Sequence, residues 1–268
     1  MRTAIIFHEN DLIDSEITTR WLASFSDLAG LVILREDGGK AKNRVKREIK
    51  RVGLFRFIDV IAFRIYYRIF HASKDANWRK NEVSRLDKEL PELGEVAKIV
   101  ATSPNLPEVK DFLSSLDLDF VIARCKVILK KEIFEIPKSG TFVLHPGICP
   151  EYRNAHGCFW AIAENDEKNV GLTLLKVDAG IDTGPLYGYF GCEFDLSKES
   201  HIVIQNRVFT ENLDAIKDKL IDVIEGNAEP IDTHGRRSGV WGQPWLTKYF
   251  KALRKSKITG QQRSLYKA

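Results

Sequence analysis

Short apolar runs alternate with segments of helical periodicity along most of the 268-residue chain. Runs of this length, rich in Val, Ile, Leu and Phe, are typical of strands that are buried on both faces of a parallel sheet. Five of them are Thr3–Phe7, Leu31–Leu34, Val96–Thr102, Asp119–Ala123 and Thr141–His145. Strands that alternate with helices predict an α/β fold with a mostly parallel, Rossmann-like sheet and helices on both faces. Two further runs, Val170–Val177 and Leu186–Cys192, follow one another closely and predict an antiparallel extension at one edge.

A basic helical segment interrupts this alternation between the second and third predicted strands. From Lys40 to Arg56 the chain has eight Lys or Arg residues and one Glu. Apolar residues recur at helical spacing there and just beyond: Val45, Ile49, Val52, Ile58, Ile61, Ile65 and Ile69. We therefore predict a helical insertion at about residues 40–72, with its apolar stripe packed on the sheet and its basic face in solvent. The same composition allows an alternative, in which Lys40–Arg56 contacts an anionic membrane or another polyanion.

The clearest helical pattern follows Ser200. Apolar residues repeat at intervals of three, four or seven from Ile202 to Ile224, and Gly226 can end the helix. The chain beyond it contains an aromatic cluster and then a basic end; the cluster is Trp241, Trp245, Tyr249 and Phe250. We interpret residues 1–235 as one α/β domain that includes the insertion, and residues 236–268 as a C-terminal aromatic and basic extension.

Composition narrows the class of protein. The hydrophobic share of 44% is ordinary for a globular domain, and the net charge of +4 is too mild to indicate a nucleic-acid partner by itself. The opening MRTAIIFHENDL lacks the apolar core of a signal peptide. No run approaches the roughly 20 apolar residues that span a bilayer. A soluble cytoplasmic protein is the expectation.

The loop after the first predicted strand does not suit a dinucleotide. His8-Glu9-Asn10-Asp11 stands where such a fold would carry GxGxxG, so neither NAD nor FAD is expected. Asp14 or Ser15 is then predicted to cap a helix that ends near Phe25.

The cysteines do not indicate a metal site. None of the four belongs to a CxxC pair, and reduced thiols are expected in a cytosolic chain. His145, Cys149, His156 and Cys158 have the spacings H-x3-C and H-x-C, which fit no common structural zinc pattern. We therefore expect no metal.

The segment from Thr141 to Tyr189 has the residues of a reaction site. One apolar run ends on His145, and an acidic turn, Asp178-Ala-Gly-Ile-Asp182-Thr-Gly-Pro185, follows another. In an open α/β sheet, ligands bind at the carboxyl ends of the strands. The pattern therefore predicts an imidazole and a carboxylate, those of His145 and Asp182, at one end of the sheet.

Three segments between Val121 and Leu186 match a known family in order and spacing. They are VIARCKVILKKEIF, FVLHPGICPEYRNAHG and LLKVDAGIDTGPL. On these residues the chain resembles the folate-dependent formyltransferases, which include glycinamide ribonucleotide formyltransferase, the N-terminal domain of methionyl-tRNA formyltransferase and amino-sugar N-formyltransferases. The resemblance implies an enzyme that transfers a formyl group from 10-formyltetrahydrofolate to an amine.

The resemblance also implies roles for individual residues. His145 and Asp182 match the catalytic histidine and aspartate of the family. The pterin ring would be held mainly by backbone groups, in a folate pocket formed by Arg124, Cys125, Lys126, Val127, Leu129, Ala179 and Gly180. The side chains of Arg124 and Lys126 would suit the glutamate tail of a folate. Substrate contacts are expected from Tyr152, Arg153, Asn154 and His156, because Arg suits an anionic acceptor.

One position departs from the family. Val143 stands two residues before His145, where the family has an asparagine that donates a hydrogen bond to the developing oxyanion. Loss of such a donor costs roughly 10²- to 10³-fold in rate. Asn154 or His156 would have to supply a replacement donor.

Besides the membrane-surface or polyanion module at Lys40–Arg56, three interpretations of the function stay open on the sequence. The leading one is formyl transfer to the amine of a small molecule. A tRNA acceptor is not expected, because only about 75 residues follow Asp195, where tRNA formyltransferases carry a further domain. The second is hydrolysis of 10-formyltetrahydrofolate, with water in place of the amine. The third is a folate-binding or interaction protein without chemistry, for which Val143 is the reason.

Overall fold

The computed structural model describes residues 1–35, 41–259, 262–263 and 266. Its strands are β1 Arg2–His8, β2 Asp27–Leu34, β3 Ala97–Ala101, β4 Phe120–Arg124, β5 Thr141–His145, β6 Arg153–Asn154, β7 Leu172–Lys176, β8 Leu186–Phe190, β9 Glu193–Phe194, β10 Val240–Trp241 and β11 Gln262–Arg263. Its α-helices are α1 Thr19–Ala23, α2 Ala41–Val52, α3 Leu54–Phe70, α4 Ala72–Leu86, α5 Pro107–Ser114, α6 Lys131–Phe134, α7 Gly157–Ala163, α8 His201–Thr210, α9 Leu213–Ile224 and α10 Leu246–Thr259. A π-helical turn, Asp14–Thr18, precedes α1. No helix within these described ranges is long and apolar enough to cross a membrane.

Seven strands form one sheet in the order β3-β2-β1-β4-β5-β7-β8. The first five are parallel, whereas β7 pairs antiparallel with β5 and with β8. The predicted fold class is therefore confirmed, including the antiparallel extension at one edge. The strands β1, β4 and β5 are neighbours and end on His8, Arg124 and His145, so these three residues share the carboxyl end of the sheet.

Helices cover both faces of the sheet. In β1, Ile5 and Phe7 join the core on one face while Ala4 and Ile6 join the core on the other. Successive side chains of a strand point to opposite sides, so a strand made of consecutive apolar residues must be covered on both faces. The first core also contains residues of α1, α7, α8 and α9, and the second contains residues of α5 and α6. This double packing fixes the position of the strand ends that carry the candidate site.

The first helical turn differs from the prediction that Asp14 or Ser15 caps it. Oδ1 of Asp11 accepts hydrogen bonds from the backbone N–H groups of Ile13 (3.2 Å) and Asp14 (3.3 Å). The side chain of Asp14 is instead buried, and it forms an ion pair with Arg124. A buried carboxylate requires a charged partner, and that requirement decides where this one points.

The single helix predicted from Ile202 to Ile224 is wrong, because the segment forms two helices, α8 and α9. The side chain of Asn212 donates to the carbonyl oxygens of Val208 (2.7 Å) and Gly191 (3.0 Å). Asparagine competes with the backbone for such partners, so α8 ends just before this residue. The apolar periodicity continues across the break, which is why the pattern did not show it.

The helical insertion is present, and helix α4 extends it to Leu86. Lys40, where the prediction began, lies outside the described residues. The apolar stripe does not pack on the sheet as predicted: Ile58, Ile65 and Ile69 are each more than half exposed. Val60 and Phe63, on the other side of α3, are buried instead. The expectation of a packed stripe is therefore wrong.

The C-terminal segment packs on α7. The ring of Trp241 stacks on that of Trp160 with a centroid distance of 4.7 Å, and Nε1 of Trp160 donates to the carbonyl oxygen of Gly242 at 2.8 Å. Tyr249 is buried, with its ring 5.6 Å from that of Phe63. Part of the predicted aromatic cluster thus joins the main core.

Candidate functional site

His145, the last residue of β5, is buried and has a hydrogen-bond acceptor beside each ring nitrogen. Nε2 lies 2.8 Å from the carbonyl oxygen of Tyr152, and Nδ1 lies 3.4 Å from Oδ2 of Asp182. A carbonyl oxygen can only accept, so Nε2 carries a hydrogen and donates it to Tyr152. This contact fixes the ring orientation and directs Nδ1 at the carboxylate.

Asp182 is held in place by its own loop. Its backbone has φ 50°, in the left-handed region, and Oδ2 accepts the backbone N–H of Asn154 at 2.7 Å. The other acidic residue of the turn, Asp178, accepts the N–H of Gly180 (2.9 Å) and the hydroxyl of Thr183 (2.7 Å) through Oδ1. Asp178 therefore stabilises the turn, while Asp182 points towards the histidine.

Thr173 fixes the chain after the histidine. It lies opposite His145 in the β5–β7 pair, and its hydroxyl donates to the carbonyl oxygen of Gly147 (2.6 Å) while accepting the N–H of Cys149 (3.0 Å). No motif in the sequence indicated a role for Thr173. Its signal was a polar residue inside an otherwise apolar strand, since a buried hydroxyl needs partners.

Arg124 is committed to the interior of the protein. Its Nε donates to Oδ1 of Asp14 at 2.7 Å and its Nη1 to the carbonyl oxygen of Leu144 at 3.0 Å. Burial opposes the charge on Arg124, but the carboxylate of Asp14 outweighs it, so the arginine pKa is raised. The guanidinium is therefore unavailable to the glutamate tail of a folate, and that part of the prediction is corrected. The sequence did not predict the ion pair of Asp14 with Arg124, because the two residues are 110 positions apart.

The predicted folate loops place apolar side chains at the surface. Val127, Ile128 and Ile181 are exposed, whereas Leu129 is buried beneath the first loop. The backbone N–H of Lys126 donates to Nε2 of a histidine, His8, at 3.3 Å. Cys125 lies within the same loop, and burial raises the pKa of its thiol to about 11. Ala179 and Gly180 are exposed in the second loop. Together these loops offer an apolar surface next to backbone polar groups.

Tyr152 and Asn154 are engaged in structural contacts. The hydroxyl of Tyr152 donates to Oδ2 of Asp166 at 2.8 Å, and its ring stacks on Trp241. The side-chain amide of Asn154 donates to the carbonyl oxygen of Trp241. Both side chains therefore have contacts within the protein, and the substrate contacts expected of Tyr152 and Asn154 stay predictions.

The Nε–H group of Arg153 has no hydrogen-bond partner among the described residues. Its Nη1 donates to the carbonyl oxygen of Ile181 at 3.2 Å, which brings the guanidinium over the loop of Asp182. The Nε atom is also buried. A buried donor without a partner is uncommon, and a bound ligand could satisfy it.

His156 belongs to a different set of contacts. It lines a cavity of about 240 Å³ between α3 and the first residues of α7 and α8, together with Phe63, Tyr67 and His201. Burial, together with the nearby cations of Lys126 and Arg64, lowers the pKa of His156 to about 4. The structure gives no contact that would let His156 replace the missing oxyanion donor.

The position of the missing donor is apolar. Val143 is partly buried and packs against Cys149, Leu175 and Leu186. His145 and His156 make separate contacts, so the zinc set considered from the sequence does not assemble. Within the described ranges, no three His, Cys, Asp or Glu residues are grouped so as to hold a metal ion.

The chain is similar in sequence to proteins of one known family. The family model described as Formyl transferase matches residues 72–220, which include His145, Thr173 and Asp182. Cytosolic 10-formyltetrahydrofolate dehydrogenase of Xenopus tropicalis is 30% identical over 128 residues, 47% of this chain and 14% of that protein. Methionyl-tRNA formyltransferase of Clostridioides difficile (strain 630) is 31% identical over 125 residues, 45% of this chain and 39% of that protein. The chain thus spans less than two fifths of the length of these curated relatives.

Solved structures of the same fold superpose on nearly the whole length of this chain. A sugar N-formyltransferase from Shewanella sp FDAARGOS_354 superposes with a TM-score of 0.55 at 14% identity, covering 96% of this chain and 87% of that one. A 4-N formyltransferase from Francisella tularensis gives a TM-score of 0.53 at 12% identity, with 95% and 87% covered. At this level of identity the likeness is one of fold.

Proposed function

The chain belongs to the formyl transferase family, and we propose that it transfers a formyl group from 10-formyltetrahydrofolate to the amine of a small molecule. The observation that carries the proposal is the pairing of His145 Nδ1 with Asp182 Oδ2, 3.4 Å apart, at the carboxyl end of the sheet. Sequence reasoning selected both residues independently of that contact. A fixed imidazole beside a carboxylate is suited to proton transfer.

The loops beside this pair fit a folate. Val127, Ile128 and Ile181 present exposed apolar side chains that a flat pterin ring would cover. The unpartnered Nε of Arg153 supplies a further donor next to Asp182. One relative acts, by its name, on 10-formyltetrahydrofolate, which supports the same cosubstrate here.

The residues of the site would then assist an acyl transfer. The amine attacks the formyl carbon, a new N–C bond forms and the carbonyl oxygen becomes an oxyanion. Asp182 takes the proton released by the amine and can share it with Nδ1 of His145, since Nε2 is already bound to Tyr152. The C=O bond re-forms as the bond from the formyl carbon to N10 breaks, and N10 takes up the proton that Asp182 had accepted and leaves as tetrahydrofolate. The products are a formamide and tetrahydrofolate, so atoms and charge balance.

A small acceptor is supported by two observations. Two of the solved structures that cover at least 95% of this chain are described as a sugar N-formyltransferase and a 4-N formyltransferase. Arg153 offers a cation beside Asp182, and Arg suits a phosphate or carboxylate group on the acceptor. A phosphorylated or nucleotide-linked amino sugar has both the amine and the anion.

Val143 favours a second candidate, a folate-binding protein with little or no turnover. The position that would carry the oxyanion donor packs into an apolar cluster, and the amide of Asn154 is already bonded to Trp241. Without a donor the transition state loses about 3 to 4 kcal/mol of stabilisation. Binding of the folate itself does not require that donor.

Release of tetrahydrofolate from 10-formyltetrahydrofolate, followed by absorbance, separates these candidates. The reaction is run with a panel of amino sugars and nucleotide-linked amino sugars, and once with no amine. Release that depends on one amine would support formyl transfer, whereas equal release without amine would identify a hydrolase. Saturable folate binding in calorimetry without any release would support the binding protein. Absence of both binding and release would overturn the folate assignment.

A further inference from the structure

Helix α3 carries an apolar stripe on its outer side. Five large side chains form it, and their exposed fractions are 62% for Leu54, 89% for Phe55, 60% for Ile58, 55% for Ile65 and 68% for Ile69. At 100° per residue they fall within about one third of the helix circumference. From Leu54 to Ile69 the stripe is about 22 Å long.

Such a stripe is unusual on a monomeric protein in water. Single exposed apolar residues are common, but contiguous ones mark a surface that another body covers. The other side of α3 already packs inward through Val60 and Phe63, so folding of this domain leaves the stripe outside. The stripe therefore requires an external partner.

The turn between α2 and α3 places the most exposed of these side chains at a corner. Gly53 has φ 80°, a left-handed conformation that favours glycine, and its N–H donates to the carbonyl oxygen of Ile49 at 2.8 Å. Helix α2 ends just before Gly53, and Leu54 and Phe55 begin α3 directly after it. Apolar residues at such a corner can insert into a membrane surface before the rest of the helix does.

The charge around the stripe is strongly positive. Residues 41–70 contain nine Lys or Arg and two Asp or Glu, a net charge of +7. The whole chain has a net charge of +4, so the remaining residues together carry −3. Lys46 and Lys50 on α2 and Arg68 on α3 are exposed, whereas the guanidinium of Arg56 lies over the ring of Trp245. The basic character is thus concentrated in α3, which carries the stripe, and in its neighbour α2.

We propose that α2 and α3 dock the protein on a membrane surface rich in anionic lipid, with the apolar stripe lying in the headgroup region. The anionic headgroups of such a membrane attract the positive charge, and the boundary with the acyl chains covers the apolar side chains. A second copy of the chain would cover the stripe but would bring +7 against +7. The family match begins at residue 72, after these helices, so the proposal does not rest on formyl transfer.

Vesicle flotation tests the proposal on the full chain. Vesicles of phosphatidylcholine alone are compared with vesicles that contain about one third phosphatidylglycerol, at about 0.1 M and about 0.5 M salt. We expect binding to the anionic vesicles only, and weaker binding at the higher salt. Lys46→Ala with Lys50→Ala should lower the partition coefficient roughly thirtyfold, which corresponds to about 1 kcal/mol for each charge. Ile58→Ser with Ile65→Ser should lower it at least tenfold.

The control is Val100→Ser, which changes an exposed apolar residue on β3 and should leave binding unchanged. Thermal unfolding checks that every variant remains folded, as expected for exposed positions. The proposal fails if the wild-type chain binds neither vesicle or binds both equally. It also fails if sedimentation velocity without lipid shows a dimer that Ile58→Ser with Ile65→Ser dissociates, because a second copy would then cover the stripe.

Discussion

His145 and His156 are eleven residues apart and have opposite surroundings. His145 lies between two acceptors, the carbonyl oxygen of Tyr152 and the carboxylate of Asp182. His156 lies among aromatic side chains next to a second buried imidazole, His201, and burial lowers its pKa to about 4. An imidazole between acceptors can pass a proton, whereas one among apolar groups stays neutral and serves packing. Burial and neighbouring groups together decide what each histidine can do.

The largest effect should come from breaking the contact of His145 with Asp182. Asp182→Asn keeps the shape of the side chain but removes its negative charge, so the amine loses its proton acceptor. We expect the rate of tetrahydrofolate release to fall about 10³-fold. His145→Ala should have a similar effect with the fold retained. His234→Ala, an exposed histidine, is the control and should leave the rate unchanged. Normal turnover in a folded Asp182→Asn variant would remove the central assignment.

A smaller effect is expected from adding a donor beside His145. Val143 and His145 are two residues apart on β5, so their side chains project from the same face of the sheet. Val143→Asn should raise the rate of tetrahydrofolate release about 10²-fold by stabilising the oxyanion. Val143→Leu is the matched control, because leucine has the branched shape of asparagine but adds no donor. If the asparagine variant is no faster than wild type, another group already serves as donor.

The smallest expected effect is on the pH dependence of the free energy of unfolding, and it comes from His156. An unfolded chain has an ordinary imidazole pKa near 6.5, while burial lowers that of His156 to about 4 in the folded chain. Between these pH values the unfolded state binds more protons. The stabilising effect is therefore full above about pH 6.5 and is lost as the pH falls towards 4.

His156→Asn removes this titration, and asparagine tolerates the left-handed backbone there, with φ 56°. Urea unfolding at pH 7 and pH 4.5 should show about 2 kcal/mol less loss of stability in the variant than in wild type, after allowance for the partial exposure of the ring. His234→Asn should follow the wild type. An unchanged pH dependence in His156→Asn would contradict the buried, neutral assignment.

The fold was predictable because its strands are short, apolar and separated by helices. That pattern fixes a parallel sheet with two covered faces, and the quick succession of β7 and β8 fixes the antiparallel edge. The break between α8 and α9 was not predictable, because it depends on an Asn212 contact with Gly191, which lies outside the helical pattern. The domain boundary at residue 235 stays a prediction.

The candidate site was predictable only in part. His145 and Asp182 follow apolar runs and carry a recognisable motif, so their meeting could be foreseen and the family resemblance is confirmed. The sequence could not show that Arg124 is bound to Asp14 or that Tyr152 is bound to Asp166, because those partners are brought together by packing. The outward side of α3 was also missed, since periodicity identifies a stripe but not which of two faces meets the core.

The stacked tryptophans give the protein an optical reporter at its site. Trp241 stacks on Trp160, and its carbonyl oxygen holds the side chain of Asn154, whose N–H binds Asp182. Indole emission depends on the polarity and packing around the ring, so a ligand that shifts the Asp182 loop should change the fluorescence of this stack. Folate and acceptor binding can then be titrated on the unlabelled protein, separately from turnover.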